Sequence, residues 1–172
     1  MNKSFIITIL GPDQPGLVKS LSETLNKFQG NWTESRMTHL AGKFAGIVRV
    51  SLPVEQFEKL SLALNEIQTD TFRILIEEAS SINKDEPEHI LSLELMAQDR
   101  PGIIQDITHQ LAKLNVNIEE LESNVKEASM SGGTLFCAQL KLSLPSGIKA
   151  EVVQDTLEEM SDQFMVDINF SD

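Results

Sequence analysis

The chain has 172 residues, with 14 basic and 26 acidic side chains and a formal charge of −12. DNA affinity comes largely from cations that neutralise phosphates, and no run of Lys and Arg interrupts this acidity, so direct nucleic-acid binding is not expected. Cys137 is the only cysteine, which excludes an intramolecular disulfide, and no apolar run approaches the roughly 18 residues a membrane span needs.

In chain order the first expected element is a strand, Phe5–Leu10, entered without the long apolar core of a leader segment; the expected address is the cytoplasm. The turn Asp13-Gln14-Pro15-Gly16 follows. Leu17, Val18, Leu21, Leu25 and Phe28 then mark one face of a helix. Asn31 starts a second strand. Val48, Val50 and Leu52 alternate with Arg49 and Ser51, the pattern of a third strand with one buried face. Beyond Pro53, the residues Val54, Phe57, Leu60, Leu64 and Ile67 predict a second helix, and Phe72–Glu77 a fourth strand. The polar stretch from Ala79 to Pro87 reads as a linker.

The order then repeats. A strand at His89–Met96 leads to Asp99-Arg100-Pro101-Gly102, offset by 86 from the first turn. Ile103, Ile104, Ile107, Leu111 and Leu114 keep the helical register, and Asn117 matches Asn31. Lys141-Leu142-Ser143-Leu144-Pro145 repeats Arg49 to Pro53 at an offset of 92, so six extra residues fall near Lys126 to Gly133, as a longer hairpin loop. Cys137, among Leu135, Phe136, Ala138 and Leu140, is expected to be a small core residue. Ile148, Val153, Leu157 and Met160 give the last helix, and Met165–Phe170 the last strand.

Each half therefore reads β-α-β-β-α-β. Two right-handed crossovers give a four-stranded antiparallel sheet with both helices on one face. The expected fold is α+β: two tandem ferredoxin-like domains, 1–79 and 88–172, joined by a linker at 80–87. Domains this small gain from packing on each other or on a second chain, so a homo-oligomer is expected.

Ile9 to Val18 and Asn31-Trp32-Thr33-Glu34-Ser35-Arg36-Met37 resemble the opening turn and second strand of ACT domains. The tandem pair, with little outside it, is similar to those members of the family that repress glycine cleavage system genes. The resemblance implies an amino-acid-responsive regulator with a small amino acid, glycine foremost, as ligand. It implies action through a DNA-binding transcriptional activator protein rather than on DNA itself. An ACT metabolite sensor acting on an enzyme is the alternative; an acylphosphatase-like hydrolase is a third reading. Two departures stand out: Gln14 where Arg is common, and the stretch Asn117-Ile118-Glu119-Glu120-Leu121, which loses the Ser-Arg pair of the first copy.

The candidate ligand residues are Asp13, Gln14, Gly16, Leu17 and Asn31 in the first copy, and Asp99, Arg100, Gly102, Ile103 and Asn117 in the second. Asp13 and Asp99 are expected to cap the helices, with proline pre-setting the first helical φ. A helix N-terminus with free N–H groups attracts a carboxylate, and a glycine there lets a ligand approach. Asp13 or Asn31 would accept from the ammonium, with Ser35 and Arg36 nearby; this makes the first copy the expected principal site. His39, His89 and His109 are scattered, no Gly-rich phosphate loop is present, and Glu119, Glu120 and Glu122 read as solvated positions, so no catalysis, cofactor or metal is expected.

The charge balance makes a direct prediction. At physiological salt the isolated protein should leave duplex DNA unshifted in a gel assay; nanomolar sequence-specific binding by the protein alone would contradict it.

Overall fold

The computed structural model describes residues 1–80, 89–128, 132–164 and 167–171, with side chains described up to residue 160. The chain divides into two compact units, Met1–Ile82 and Asn83–Asp172. Apart from its first residue, the expected linker at 80–87 lies outside the described residues, as does the middle of the second hairpin loop.

The first unit runs β1 (Asn2–Pro12), α1 (Leu17–Lys27), β2 (Asn31–Leu40), β3 (Lys43–Pro53), one 3-10 turn (Val54–Gln56), α2 (Phe57–Glu66) and β4 (Arg73–Glu78). The second runs β5 (His89–Gln98), α3 (Ile103–Lys113), β6 (Asn117–Glu127), β7 (Thr134–Leu144), α4 (Ala150–Phe164) and β8 (Asp167–Ser171). The sheet orders are β2-β3-β1-β4 and β6-β7-β5-β8, antiparallel throughout. This is the ferredoxin-like βαββαβ arrangement, twice over.

The period-two alternation places Phe5, Ile7 and Ile9 of β1 beside Val48, Val50 and Leu52 of β3 on the inner face. Leu21 and Leu25 of α1 and Leu60 and Leu64 of α2 close over them, so both helices cover the same side. Phe57 stacks on Phe5, with ring centroids 4.7 Å apart and planes 17° from parallel, adding about 1 kcal/mol to its burial. In the second unit Leu91, Leu93, Leu95, Leu140, Leu142 and Leu144 meet Ile103, Ile107, Leu111, Val153 and Leu157. Among the described residues no polar side chain is buried. Polar chemistry is therefore confined to surfaces and loops.

Three expected core positions lie elsewhere, one of them Val54, 42% exposed in the 3-10 turn before α2. Val18 is 40% exposed, because it sits at the flank of the α1 stripe rather than over the sheet. Cys137 is only partly buried: it pairs with Met96 and Asn124, and Ala138 takes the inward position beside Leu95.

The two hairpins account for the change of offset. Ala41 and Gly42, at φ 49° and 76°, form a two-residue turn of the kind that matches strand twist. In the second hairpin Glu127 pairs with Thr134, one ladder position further out, and Ala128 N–H donates to the Gly133 carbonyl at 3.0 Å.

Both first helices end alike. Gly30 N–H donates to the Leu25 carbonyl and Gln29 N–H to Asn26; Val116 and Asn115 do the same toward Leu111 and Ala112. This paired closure needs a left-handed residue just past the helix. Here Gln29 and Asn115 supply it, at φ 62° and 55°. Asn tolerates that conformation better than Gln. Gln29→Gly should therefore stabilise the protein by about 0.5–1 kcal/mol, and Asn115→Gly by less, in urea unfolding.

Candidate functional site

The turns that open α1 and α3 have the same geometry. Gly16 stands at φ 98° and ψ −14°, and Gly102 at φ 92° and ψ −2°; both are left-handed helix caps. Their carbonyls accept the first helical bonds, from Ser20 N–H and Asp106 N–H at 2.9 Å each. Pro15 and Pro101 precede the cap rather than following it. The expected capping by aspartate is not what the structure has: neither helix has a side-chain cap. Asp13 and Asp99 instead tie their own backbone N–H groups to the hairpin, at Gly42 O (3.0 Å) and Thr134 O (2.9 Å). The reason is spacing. A left-handed glycine at the cap turns the chain so sharply that the residue three before it lies on the strand end, not over the helix N–H groups. Those N–H groups carry the partial positive charge of the helix end.

The two loops differ in what stands before the glycine. In the second unit Arg100 Nη2 donates to Asp106 Oδ2 at 2.7 Å, and its Nη1 to the Pro101 carbonyl at 3.0 Å. A Cβ added at Gly102 would stand 3.6 Å from that Nη1. The guanidinium thus folds over the mouth of α3. In the first unit Gln14 replaces the arginine and Ser20 the aspartate. Nothing lies within 4 Å of a Cβ at Gly16.

The remaining expected residues do not converge within a unit. Asn31 pairs with Ser51, whereas the Asp13 loop adjoins Lys43 and Gly42 at the other end of β3. The stretch between them spans about 26 Å. Asn117, opposite Ser143, is equally remote from Asp99. Its amide donates to Glu119 Oε1 at 2.8 Å. Ser35 and Arg36 point to opposite faces, Ser35 beside Val48 and Arg36 beside Ile47. Ile103 is a core residue, 4% exposed, and Leu17 packs partly into the core, so each offers a ligand its backbone N–H rather than its side chain. The residues nearer the first loop are those of the β2–β3 turn, Leu40 to Gly42.

A β-bulge between Trp32 and Glu34, repeated between Ile118 and Glu120, has no counterpart in the hydrophobic pattern. It sets Glu34 opposite Arg49, with an ion pair of 3.3 Å, and Glu120 opposite Lys141, at 3.0 Å. These exposed pairs fix register more than they add stability. Among the described residues, no three His, Cys, Asp or Glu side chains are grouped to hold a metal ion.

With the strand order, the glycine turn and the repeat in place, the class is defined. Residues 3–73 match the profile of the ACT domain, so the first unit belongs to the ACT-domain family, and the second unit repeats its fold. An unknown protein from Galdieria sulphuraria is 31% identical over 99% of this chain and 98% of its own, with a TM-score of 0.83. A protein put forward as a glycine cleavage system transcriptional repressor shares the fold, with a TM-score of 0.73 at 14% identity over 99% of this chain and 98% of its own. No curated protein matches the sequence.

Because its surroundings are open, Gly16 is required by backbone conformation alone. Gly16→Ala should cost about 1–2 kcal/mol in urea unfolding without any steric clash, and Gly102→Ala about the same. A variant as stable as the parent would show that the turn tolerates a side chain.

Proposed function

We propose that the protein is a cytoplasmic, amino-acid-responsive regulator that represses glycine cleavage system genes through a DNA-binding transcriptional activator. The observation that carries the ligand part is the uncapped mouth of α1. Its N–H groups and the positive helix end suit a carboxylate, and the space before Gly16 is open. The same mouth on α3 is covered by Arg100. The first loop is thus the principal site, for a reason different from the polar cluster expected in sequence. A small zwitterion such as glycine fits on size: at about 1.5 kcal/mol per heavy atom its affinity is bounded near 7.5 kcal/mol, or micromolar. That suits a sensor of metabolite level.

The partner-mediated part is supported by the charge of −12 and by the use, among the described residues, of every helix within the two βαββαβ units, with none left over as a recognition helix for a groove. The gene target is supported by the whole-chain fold likeness to the protein put forward as such a repressor.

A thermal-shift series against the twenty amino acids tests the ligand. At a concentration 100 times its Kd the ligand should add about 2.7 kcal/mol, read as a rise of several degrees in Tm, while most others add none. No shift with any of them would remove the sensing function.

A further inference from the structure

In the first unit α1 and α2 cover one face of the sheet, and the side chains of the opposite face differ from the rest of the chain. The strand register puts Arg36, Ile47, Thr8 and Leu75 in one row across that face. Glu34, Arg49, Ile6 and Glu77 form the row on one side, and Thr38, Ala45, Leu10 and Arg73 the row on the other. Leu40, Lys43 and Pro12 follow at the hairpin end. The charged residues of these rows are thus Arg36, Lys43, Arg49 and Arg73 with Glu34 and Glu77. In a chain of charge −12, that is four of the 14 basic side chains against two of the 26 acidic ones.

The charges are not spread evenly. At one end Arg49 is held by Glu34 at 3.3 Å. At the other, Lys43 and Arg73 have no ion-pair partner among the described residues. Leu10, Ile47 and Leu75 are 50%, 53% and 55% exposed, and Leu40 beside Lys43 is 77% exposed. A concavity of about 300 Å³ adjoins Leu10, Arg73 and Leu75. Arginine beside exposed aliphatic groups is the composition of binding surfaces. None of the residues in these rows is aromatic, so the face lacks the stacking platform by which sheets hold single-stranded nucleic acid.

We propose that this face docks an acidic protein segment, which sets carboxylates against Arg73 and Lys43 and an aliphatic side chain into the concavity at Leu10 and Leu75. Charge complementarity selects that partner, since opposite charge steers encounter and fixes register, while the apolar centre supplies the contact that holds it. At a strand spacing of about 4.8 Å and a length of about 30 Å, four strands offer on the order of 600 Å². With the partner's share that is about 1,200 Å², the low end of specific interfaces, where transient signalling encounters lie. Every group involved belongs to the strands of the first unit. This contact rests on the partner-mediated reading above and gives it a surface.

A gel assay tests it with the full chain, the transcriptional activator proposed above and the activator's own labelled promoter fragment. The wild-type chain should alter the activator–DNA complex, by supershift or by loss. Lys43→Glu and Arg73→Glu should each require about tenfold more protein for the same effect. Lys59→Glu makes the same change of charge at an exposed position of α2 and should act as the wild type. Circular dichroism melting checks that each variant is folded; if Arg73→Glu is not, Leu75→Glu, at an exposed position of the same face, should weaken the effect in its place. Face variants that act as the wild type would overturn the docking surface and leave the partner-mediated reading standing. Equal weakening by Lys59→Glu would also overturn it, because overall charge would then suffice. A wild-type chain without effect on the complex would sink that reading and the surface with it. Retention of labelled single-stranded RNA by the chain alone, lost in Arg73→Glu, would give the face to nucleic acid instead.

Discussion

In both units the chain must reverse between the central strand and the helix that covers it, and it does so through a glycine held in the left-handed region. Everything near the candidate site follows from that turn. The glycine sets the helix so close behind the strand that the aspartate of the turn bonds to the neighbouring hairpin instead of capping the helix. The helix end is left without a side-chain cap, a polar feature on a molecule whose described core is wholly apolar. A capped helix would be more stable by about 1 kcal/mol. The open end is what a small carboxylate could use.

The two units keep this geometry and differ in what fills it. Arg100, anchored to Asp106, occupies the space before the second glycine. Gln14 and Ser20 stand at the matching positions of the first unit, where no such anchor exists. The same divergence appears at the other end of the helix. Val116 fills a core position after α3, whereas a Cβ at Gly30 would lie 3.1 Å from both the Leu25 carbonyl and a Val50 methyl. The repeat is therefore one backbone with two specialised ends.

Much of the fold was legible in the residues. Alternation along Val48, Val50 and Leu52, and helical spacing through Leu21 and Leu25, report burial directly, and burial decides these elements. What stayed hidden depends on single backbone features. The bulge after Trp32 leaves no mark in hydrophobic pattern. It shifts the faces of all that follows, and Ser35 and Arg36, as neighbours along the strand, stand on opposite faces of the sheet. Cys137 reads as core from its neighbours, yet lies on the uncovered face because the inward positions belong to Phe136 and Ala138. Asn31 is a companion of Asp13 in the sequence reading because it starts the second strand, which the resemblance to paired ACT domains sets beside the turn of a partner domain. The crossover between them carries the chain to the far end of the sheet, and no local pattern encodes that distance.

The central claim is that an open mouth on α1, closed on α3 by an arginine and its aspartate, makes the first unit the ligand site. The most direct measurement is titration calorimetry with the stabilising amino acid on the double variant Gln14→Arg, Ser20→Asp, which transplants the closed arrangement, and on Arg100→Gln. The account predicts that the first loses binding and the second keeps it. Undiminished binding to the first variant, or its loss in the second alone, would place the site elsewhere.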